Sequence, residues 1–322
     1  MTRLLLAKIT FALLAYSHLP AYAGPSTSSM EQIDSMRSAA GKSANGYLEG
    51  REAFATFIES LGQTFDAASE PIEANGVPGL WIYHSDKEER SANVILYIHG
   101  GGFYSGSSET HKYLGEALAK SAATDVVAID YRRMPEHVYP SQIQDAVTSF
   151  SWLVEQGYEP ERISIAGDSA GGNIVLEAAL YLRDRGMGRP ASLVMLSPIA
   201  DLNATGQSAE ENASRDKLLT RNGILKVTET YMAGKDPASP DASPINAQLT
   251  DLPPIFMQVG AGELLLDDTL SIARNAAMAD VSVTLEVWPH VTHQWQLYPQ
   301  LLPEAKDSID SIGRFVSAHF SH

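Results

Sequence analysis

A serine flanked by glycines constrains this chain more than any other feature. The motif Gly167-Asp168-Ser169-Ala170-Gly171 follows a short run at 162–166, in which Ile163 and Ile165 alternate with polar or small residues, and precedes a run with helical spacing at 172–180. The first run predicts a buried strand and the second predicts a helix. A strand, a sharp turn and a helix around such a serine are typical of a nucleophile elbow, in which the turn exposes the serine oxygen above the sheet. Ser169 is therefore the candidate nucleophile.

A second glycine-rich motif lies upstream of the elbow. The apolar run Val94–Ile98 predicts a parallel strand buried on both faces, and it ends directly in His99 and three glycines. Glycines leave backbone N–H groups free to point into a cavity, where they can stabilise the anion that forms during acyl transfer. We predict an oxyanion hole formed by the N–H groups of Gly101, Gly102 and Ala170. His99 is expected to fix the loop by hydrogen bonding.

A serine nucleophile needs a general base, and two of the histidines in the chain are candidates for it. His293 and His290 both follow the last predicted strand, Val283–Trp288. A loop after the final strand satisfies the chain order of serine, acid and histidine that this arrangement requires. His290 lies nearer the strand end, so His293 is the predicted base and His290 is the alternative.

The acid that orients the base is expected in the loop after the predicted strand Ile255–Gly260. Glu263 lies in that loop, whereas Asp267 and Asp268 fall at the start of the next predicted helix. Carboxylates at a helix N-terminus commonly cap its free N–H groups, and we predict that role for the two aspartates. Glu263 is therefore the predicted orienting acid, and Asp267 or Asp268 could take its place.

Together these motifs resemble the hormone-sensitive-lipase-like family of α/β-hydrolases, in its bacterial esterase branch, from about Gly79 to Phe315. The resemblance rests on five segments: His99-Gly100-Gly101-Gly102-Phe103, Tyr131-Arg132-Arg133-Met134-Pro135-Glu136-His137, Gly167-Asp168-Ser169-Ala170-Gly171-Gly172, Ser197-Pro198-Ile199-Ala200-Asp201-Leu202 and Trp288-Pro289-His290-Val291-Thr292-His293. The combination is specific to this family among hydrolases.

The resemblance also bears on the acid. The usual acid of the family is the first position of a D-x-L-x-D pattern, which here falls on Glu263, followed by Leu265 and Asp267. Its distance from His293 along the chain also agrees with the family. The chain departs from the family in carrying glutamate at this position, and in carrying His290 where a glycine is common.

The resemblance implies an α/β-hydrolase fold, with a mostly parallel eight-stranded sheet, helices on both faces and a helical cap. The alternation of strand-like runs with helical runs at 114–122, 141–155, 172–185 and 268–278 independently predicts a parallel sheet. We predict one domain over residues 24–322. Its cap is expected at about 26–65 and 203–248, where the sequence leaves the alternation.

The N-terminus carries the pattern of a signal peptide over residues 1–23. Arg3 and Lys8 flank an apolar stretch, and Ala21-Tyr22-Ala23 fits a cleavage site. We therefore predict a secreted or periplasmic protein cleaved after Ala23; the alternative is an uncleaved first helix of the cap. The apolar run is too short and interrupted for a stable membrane anchor.

Composition excludes several partner classes. The formal net charge is −16, and an acidic protein repels nucleic acid and anionic membrane surfaces. The chain has no cysteine, which excludes disulfides. No metal-binding or nucleotide-binding motif is present, so we expect no metal and no cofactor. A free edge strand at the C-terminal end of the sheet would allow a homodimer.

The function predicted from these features is a serine carboxylesterase. Its expected partner is a small-molecule ester with a short or medium uncharged acyl chain, cleaved through an acyl-enzyme. The same residues would also open a cyclic ester, so a lactone hydrolase is the alternative. A non-catalytic ligand-binding protein is a third possibility, because folds of this kind can lose their chemistry.

Overall fold

The computed structural model describes residues 27–85 and 89–320. Its centre is an eight-stranded sheet with the strand order β1-β2-β4-β3-β5-β6-β7-β8. β2 pairs antiparallel with β1 and β4, and all other neighbouring strands are parallel. The strands are β1 Ser69–Ala74, β2 Val77–Ile82, β3 Val94–Ile98, β4 Asp125–Ile129, β5 Ile163–Asp168, β6 Ser192–Leu196, β7 Ile255–Gly260 and β8 Val283–Trp288. The predicted α/β fold and mostly parallel sheet are confirmed.

The central strands are buried on both faces. In β3, Val94, Leu96 and Ile98 belong to one core cluster, whereas Ile95 and Tyr97 belong to the other. Successive side chains of a strand point to opposite faces, so this division shows that each face of the sheet is covered. A continuous apolar run is the sequence consequence of such double burial.

Helices cover both faces and extend over one edge of the sheet. The helices are α1 Thr27–Ser43, α2 Tyr47–Ser60, α3 Ser108–Ala122, α4 Ser141–Glu155, α5 Ala170–Arg185, α6 Ser208–Glu211, α7 Arg221–Met232, α8 Leu266–Met278 and α9 Pro303–His319. The predicted helices at 141–155, 172–185 and 268–278 are present, the last two with earlier starts. No helix in the described ranges is long and apolar enough to cross a membrane.

Four helices lie within the two segments that the sequence predicts as the cap. α1 and α2 form the first segment, and α6 and α7 lie in the second. α7 begins at Arg221, where the Thr220 side chain accepts a hydrogen bond from the Gly223 N–H and caps the helix. The predicted signal peptide lies outside the described residues, and the division into domain and cap remains a prediction.

Candidate active site

Ser169 lies at a sharp turn between β5 and α5, as the elbow motif predicts. Its φ of 54° and ψ of −118° are unusual for a residue with a side chain. Gly167 and Gly171 flank the turn, and a Cβ at either position would collide with the Ile98 carbonyl oxygen. The glycines therefore allow β3 and the first turn of α5 to approach closely enough to hold this strained serine.

Ser169, His293 and Glu263 form a continuous hydrogen-bonded chain. His293 Nε2 lies 2.9 Å from Ser169 Oγ, and His293 Nδ1 lies 2.6 Å from Glu263 Oε2. The three residues are only 4%, 2% and 1% exposed. They follow β5, β8 and β7, whose carboxyl ends share one edge of the sheet. This arrangement can take a proton from the serine and stabilise the resulting imidazolium.

The second oxygen of Glu263 is also engaged. Glu263 Oε1 accepts hydrogen bonds from the Gly260 N–H and the Ser197 hydroxyl, each at 2.7 Å. Ser197 follows β6 and has a φ of 46°. The sequence motif that contains Ser197 predicts no role for it, although its position after β6, the strand beside β7, indicates a place near the acid. These two donors fix the carboxylate that orients His293.

The alternative base and the alternative acids lie elsewhere. His290 is exposed, with a φ of 59°. Asp267 Oδ2 accepts from the Ser208 N–H at 2.8 Å, and Asp268 Oδ2 accepts from the N–H groups of Ala200 and Asp201 at 2.7 and 2.9 Å. The prediction that these aspartates cap their own helix is wrong, because both carboxylates bind N–H groups of neighbouring segments instead.

The buried carboxyl of Asp268 makes the stability of the fold depend on pH. Burial is the largest cause that raises the pKa of the Asp268 carboxyl from 3.8 to about 7, against the two backbone hydrogen bonds that lower it. Between these values the folded chain holds a proton that the unfolded chain releases, so stability from this group is present at low pH and is lost as the pH rises towards 7.

We expect Asp268→Asn to flatten the pH dependence of Tm between pH 4 and pH 8, since the amide cannot ionise. The difference in unfolding free energy between variant and wild type should change in favour of the variant by up to ~1.4 kcal/mol per pH unit. Thermal unfolding of both proteins across this range measures it. Parallel Tm curves would contradict the assignment.

The three glycines after β3 have different roles. The Gly100 N–H donates to Asp168 Oδ1 at 2.9 Å. Gly101 and Gly102 have φ values of 115° and 59°, and among the described residues no hydrogen bond uses their N–H groups or that of Ala170. The N–H groups of Gly101, Gly102 and Ala170 are those predicted for the oxyanion hole. Their unused N–H groups leave that role open to them.

His99 is packed as a structural residue. Its Nδ1 lies 2.8 Å from the Gly100 carbonyl oxygen, and its ring stacks on Tyr131 with centroids 4.2 Å apart. Burial is the main cause that lowers the pKa of His99 to about 3, followed by the nearby His111. A neutral imidazole donating from Nδ1 to Gly100 holds the loop, in agreement with the role predicted for it.

Asp168 is buried next to the nucleophile, and the elbow motif predicts no role for its side chain. Its Oδ1 accepts from the Tyr97 hydroxyl at 2.6 Å and from Gly100, and its Oδ2 accepts from Gln294 Nε2. Burial alone would raise the pKa of this carboxyl, but attraction to His111 and these hydrogen bonds hold it well below its usual range. Asp168 is therefore an ionised anchor for three segments around the site.

A cavity of about 580 Å³ opens onto Ser169 and His293. Both segments that the sequence predicts as the cap line it, the first with Tyr47, Phe54 and other residues, the second with Ile224 and its neighbours. The lining is mainly apolar and aromatic, which suits an uncharged organic ligand. The described ranges contain no group of three or more side chains that could hold a metal ion.

The chain is similar to known proteins in both sequence and fold. Residues 95–297 match the family described as alpha/beta hydrolase fold. The chain is 37% identical to an acetyl-hydrolase of Streptomyces hygroscopicus over 84% of this chain and 90% of that protein. It is 34% identical to an esterase of Acinetobacter venetianus over 77% of this chain and 81% of that protein. The crystal structure of an esterase from the bacterial hormone-sensitive lipase family superposes with a TM-score of 0.87, at 36% identity, over 91% of this chain and 99% of the other.

Proposed function

Since the chain belongs to the bacterial hormone-sensitive-lipase-like family of α/β-hydrolases and is a carboxylic ester hydrolase, we propose that it cleaves short- to medium-chain uncharged esters through a serine acyl-enzyme. The observation that carries the proposal is the hydrogen-bonded chain from Ser169 through His293 to Glu263. Ser169 and His293 line a mainly apolar cavity, so a neutral ester can reach the serine oxygen.

The first half of the proposed reaction acylates the serine. Ser169 Oγ attacks the ester carbonyl carbon while His293 Nε2 takes the hydroxyl proton, and Glu263 stabilises the imidazolium through Nδ1–H. The carbonyl oxygen becomes an anion bound by the N–H groups of Gly101, Gly102 and Ala170. Collapse of this intermediate breaks the bond to the alkoxy oxygen, which leaves with the proton from His293 as an alcohol.

The second half releases the acid. A water molecule attacks the acyl carbon while His293 takes a proton from the water, and the same N–H groups bind the oxyanion again. Breakdown returns the proton to Ser169 Oγ and releases the carboxylic acid. The free enzyme is thereby restored, with Glu263 and its donors, Ser197 and Gly260, unchanged in position throughout.

The size and the lining of the cavity support the proposed preference for short acyl chains. Its volume of about 580 Å³ must hold both the acyl and the alcohol part of the ester. Aromatic residues of the first segment and of the loop after β3 bound it, among them Tyr47 and Tyr104, whose ring centroids lie 5.1 Å apart. Long acyl chains would have to displace this packing, which favours short and medium esters.

A series of p-nitrophenyl esters from acetate to palmitate tests the proposal. We expect kcat/KM to be highest for the short members, to decrease towards palmitate, and to fall by about 10⁴-fold or more in Ser169→Ala. A maximum at palmitate would contradict the chain-length preference. Turnover of lactones with no turnover of any linear ester would instead favour the lactone hydrolase.

We also propose that the protein is exported to the periplasm or the medium after cleavage behind Ala23. The pattern of Arg3, Lys8 and Ala21-Tyr22-Ala23 supports this, and cleavage there removes none of the described residues. N-terminal sequencing of the protein from cell fractions tests it. A cytoplasmic protein that retains Arg3 would contradict the proposal.

Pairing of two chains into a homodimer remains a further proposal. β8 forms one edge of the sheet, and Val287 on this strand is 42% exposed. Unpaired backbone groups on an edge strand can pair with a second copy. Light scattering on the purified protein measures the mass, and a monomer at all concentrations would contradict this proposal.

A further inference from the structure

We propose that Arg37 and Gln294 are positioning residues through which the N-terminal cap helix α1 aligns the catalytic histidine with the oxyanion loop. The inference rests on the proposed function, because it assigns these residues to the same reaction. It is carried by a continuous set of hydrogen bonds that runs from α1 to the loop after β3.

Arg37 is the cap end of this connection. It lines the cavity, and its Nη1 donates to the His293 carbonyl oxygen and to the Tyr298 hydroxyl, each at 3.2 Å. Its Nη2 donates to Gln294 Oε1. The planar guanidinium offers its donors in a rigid fork, so these contacts fix the segment at 293–294 relative to α1.

Gln294 passes the connection on to the elbow. It is 2% exposed and adopts a left-handed conformation with φ 63° and ψ 35°. Its Oε1 accepts from Arg37, and its Nε2 donates to Asp168 Oδ2. The orientation of the Gln294 amide is fixed, because the guanidinium can only donate to its oxygen and the carboxylate can only accept from its nitrogen. The side chain thus holds an uncommon backbone conformation directly after His293.

Asp168 completes the connection to the oxyanion loop. Its other oxygen binds the Gly100 N–H, one residue before Gly101. A Cβ on Gly100 would collide with both Asp168 Oδ2 and Gln294 Nε2. The side chains of Asp168 and Gln294 therefore pack directly against the loop, and a shift of α1 is transmitted to the base and to the oxyanion donors at once.

Alignment of these groups matters for rate more than for affinity. A misplacement of about 1 Å can lower a rate by ~10²-fold even when the reacting residues are intact. Arg37 touches the backbone oxygen of His293, so its loss frees the base; loss of the Gln294 side chain frees the base and Asp168 together. We therefore expect both losses to lower the acylation rate.

The test compares Arg37→Gln, Gln294→Gly and the double variant with wild type. Glycine tolerates the left-handed backbone at position 294, so Gln294→Gly removes the side-chain contacts without adding strain. We expect the rate of p-nitrophenol release in a single turnover of p-nitrophenyl acetate to fall ten- to hundred-fold in each variant. KM should change less than about three-fold. The double variant should be no slower than the slower single variant, because both substitutions break one connection.

Two controls separate positioning from general stability or charge. Gln300→Ala removes an exposed glutamine whose side chain binds the backbone of Thr64, just beyond α2, through hydrogen bonds of 2.9 and 2.6 Å; its acylation rate should match wild type. Arg37→Lys keeps the charge but lacks the fork, so it should remain slow. Thermal unfolding shows whether each variant is folded at the assay temperature.

Each outcome bears on the inference. Acylation at the wild-type rate in folded Gln294→Gly would overturn it, as would multiplicative losses in the double variant or full recovery in Arg37→Lys. If Arg37→Gln fails to fold, Gln294→Gly and Arg37→Lys carry the test. Wild-type protein that hydrolyses no ester would overturn the proposed function instead, and the two failures are thereby distinguishable.

Discussion

Ser169→Ala is expected to reduce ester hydrolysis by about 10⁴- to 10⁶-fold while leaving the fold intact. The Oγ of Ser169 is the atom that would form the acyl bond, and His293 Nε2 lies 2.9 Å from it. Alanine retains the Cβ, so it occupies the strained turn as serine does. Steady-state hydrolysis of p-nitrophenyl acetate measures the loss.

A second serine provides the matched control for this prediction. Ser151 lies in α4 and donates its hydroxyl to the Val147 carbonyl oxygen within the same helix. Ser151→Ala should keep kcat near wild type, and circular dichroism should give similar spectra for both variants. If Ser169→Ala kept more than about one hundredth of the wild-type kcat, Ser169 would not be the nucleophile.

Glu263→Gln is expected to lower kcat by about 10⁴-fold. Glu263 Oε1 accepts from the Gly260 N–H and the Ser197 hydroxyl, so the amide oxygen of glutamine must face these donors. Its NH₂ group then faces His293 Nδ1 and forces that nitrogen to accept. The proton moves to Nε2, where it points at Ser169, and the imidazole can no longer act as a base.

Asp267→Asn is the comparison for this prediction. Asp267 accepts from the Ser208 N–H, and the asparagine oxygen can accept the same bond. We expect kcat within about two-fold of wild type. Measured pH profiles of kcat for both variants complete the comparison. A large loss in Asp267→Asn with a small loss in Glu263→Gln would reverse the assignment of the acid.

The three residues that the sequence predicts for catalysis come together because each of them follows a strand. Parallel strands place their carboxyl ends at one edge, so Ser169, Glu263 and His293 come together although 124 and 30 residues separate the hydrogen-bonded pairs. The buried strands can also be predicted from the sequence, since burial on both faces requires continuous apolar runs such as Val94–Ile98. Local pattern and topology together therefore account for most of the proposed machinery.

Other features depend on tertiary contacts that no local pattern encodes. The hydrogen-bond donors to Asp267 and Asp268 come from residues around 200–208. The hydrogen bonds of Arg37 depend on how α1 packs against the segment at 293–294. One missed feature did have a local signal: Asn75-Gly76 joins β1 and β2, and both residues have positive φ. An Asn-Gly pair between strand-like runs is the usual sequence mark of a tight hairpin.

The most direct test of the account is to locate the acyl group during turnover. Acid quenching of the protein with p-nitrophenyl butyrate, followed by intact-mass and peptide mass spectrometry, detects a covalent intermediate. We predict one butyryl group per chain, on the peptide that contains Ser169, and none in Ser169→Ala. An acyl group on another residue, with Ser169 unmodified, would contradict the proposed mechanism.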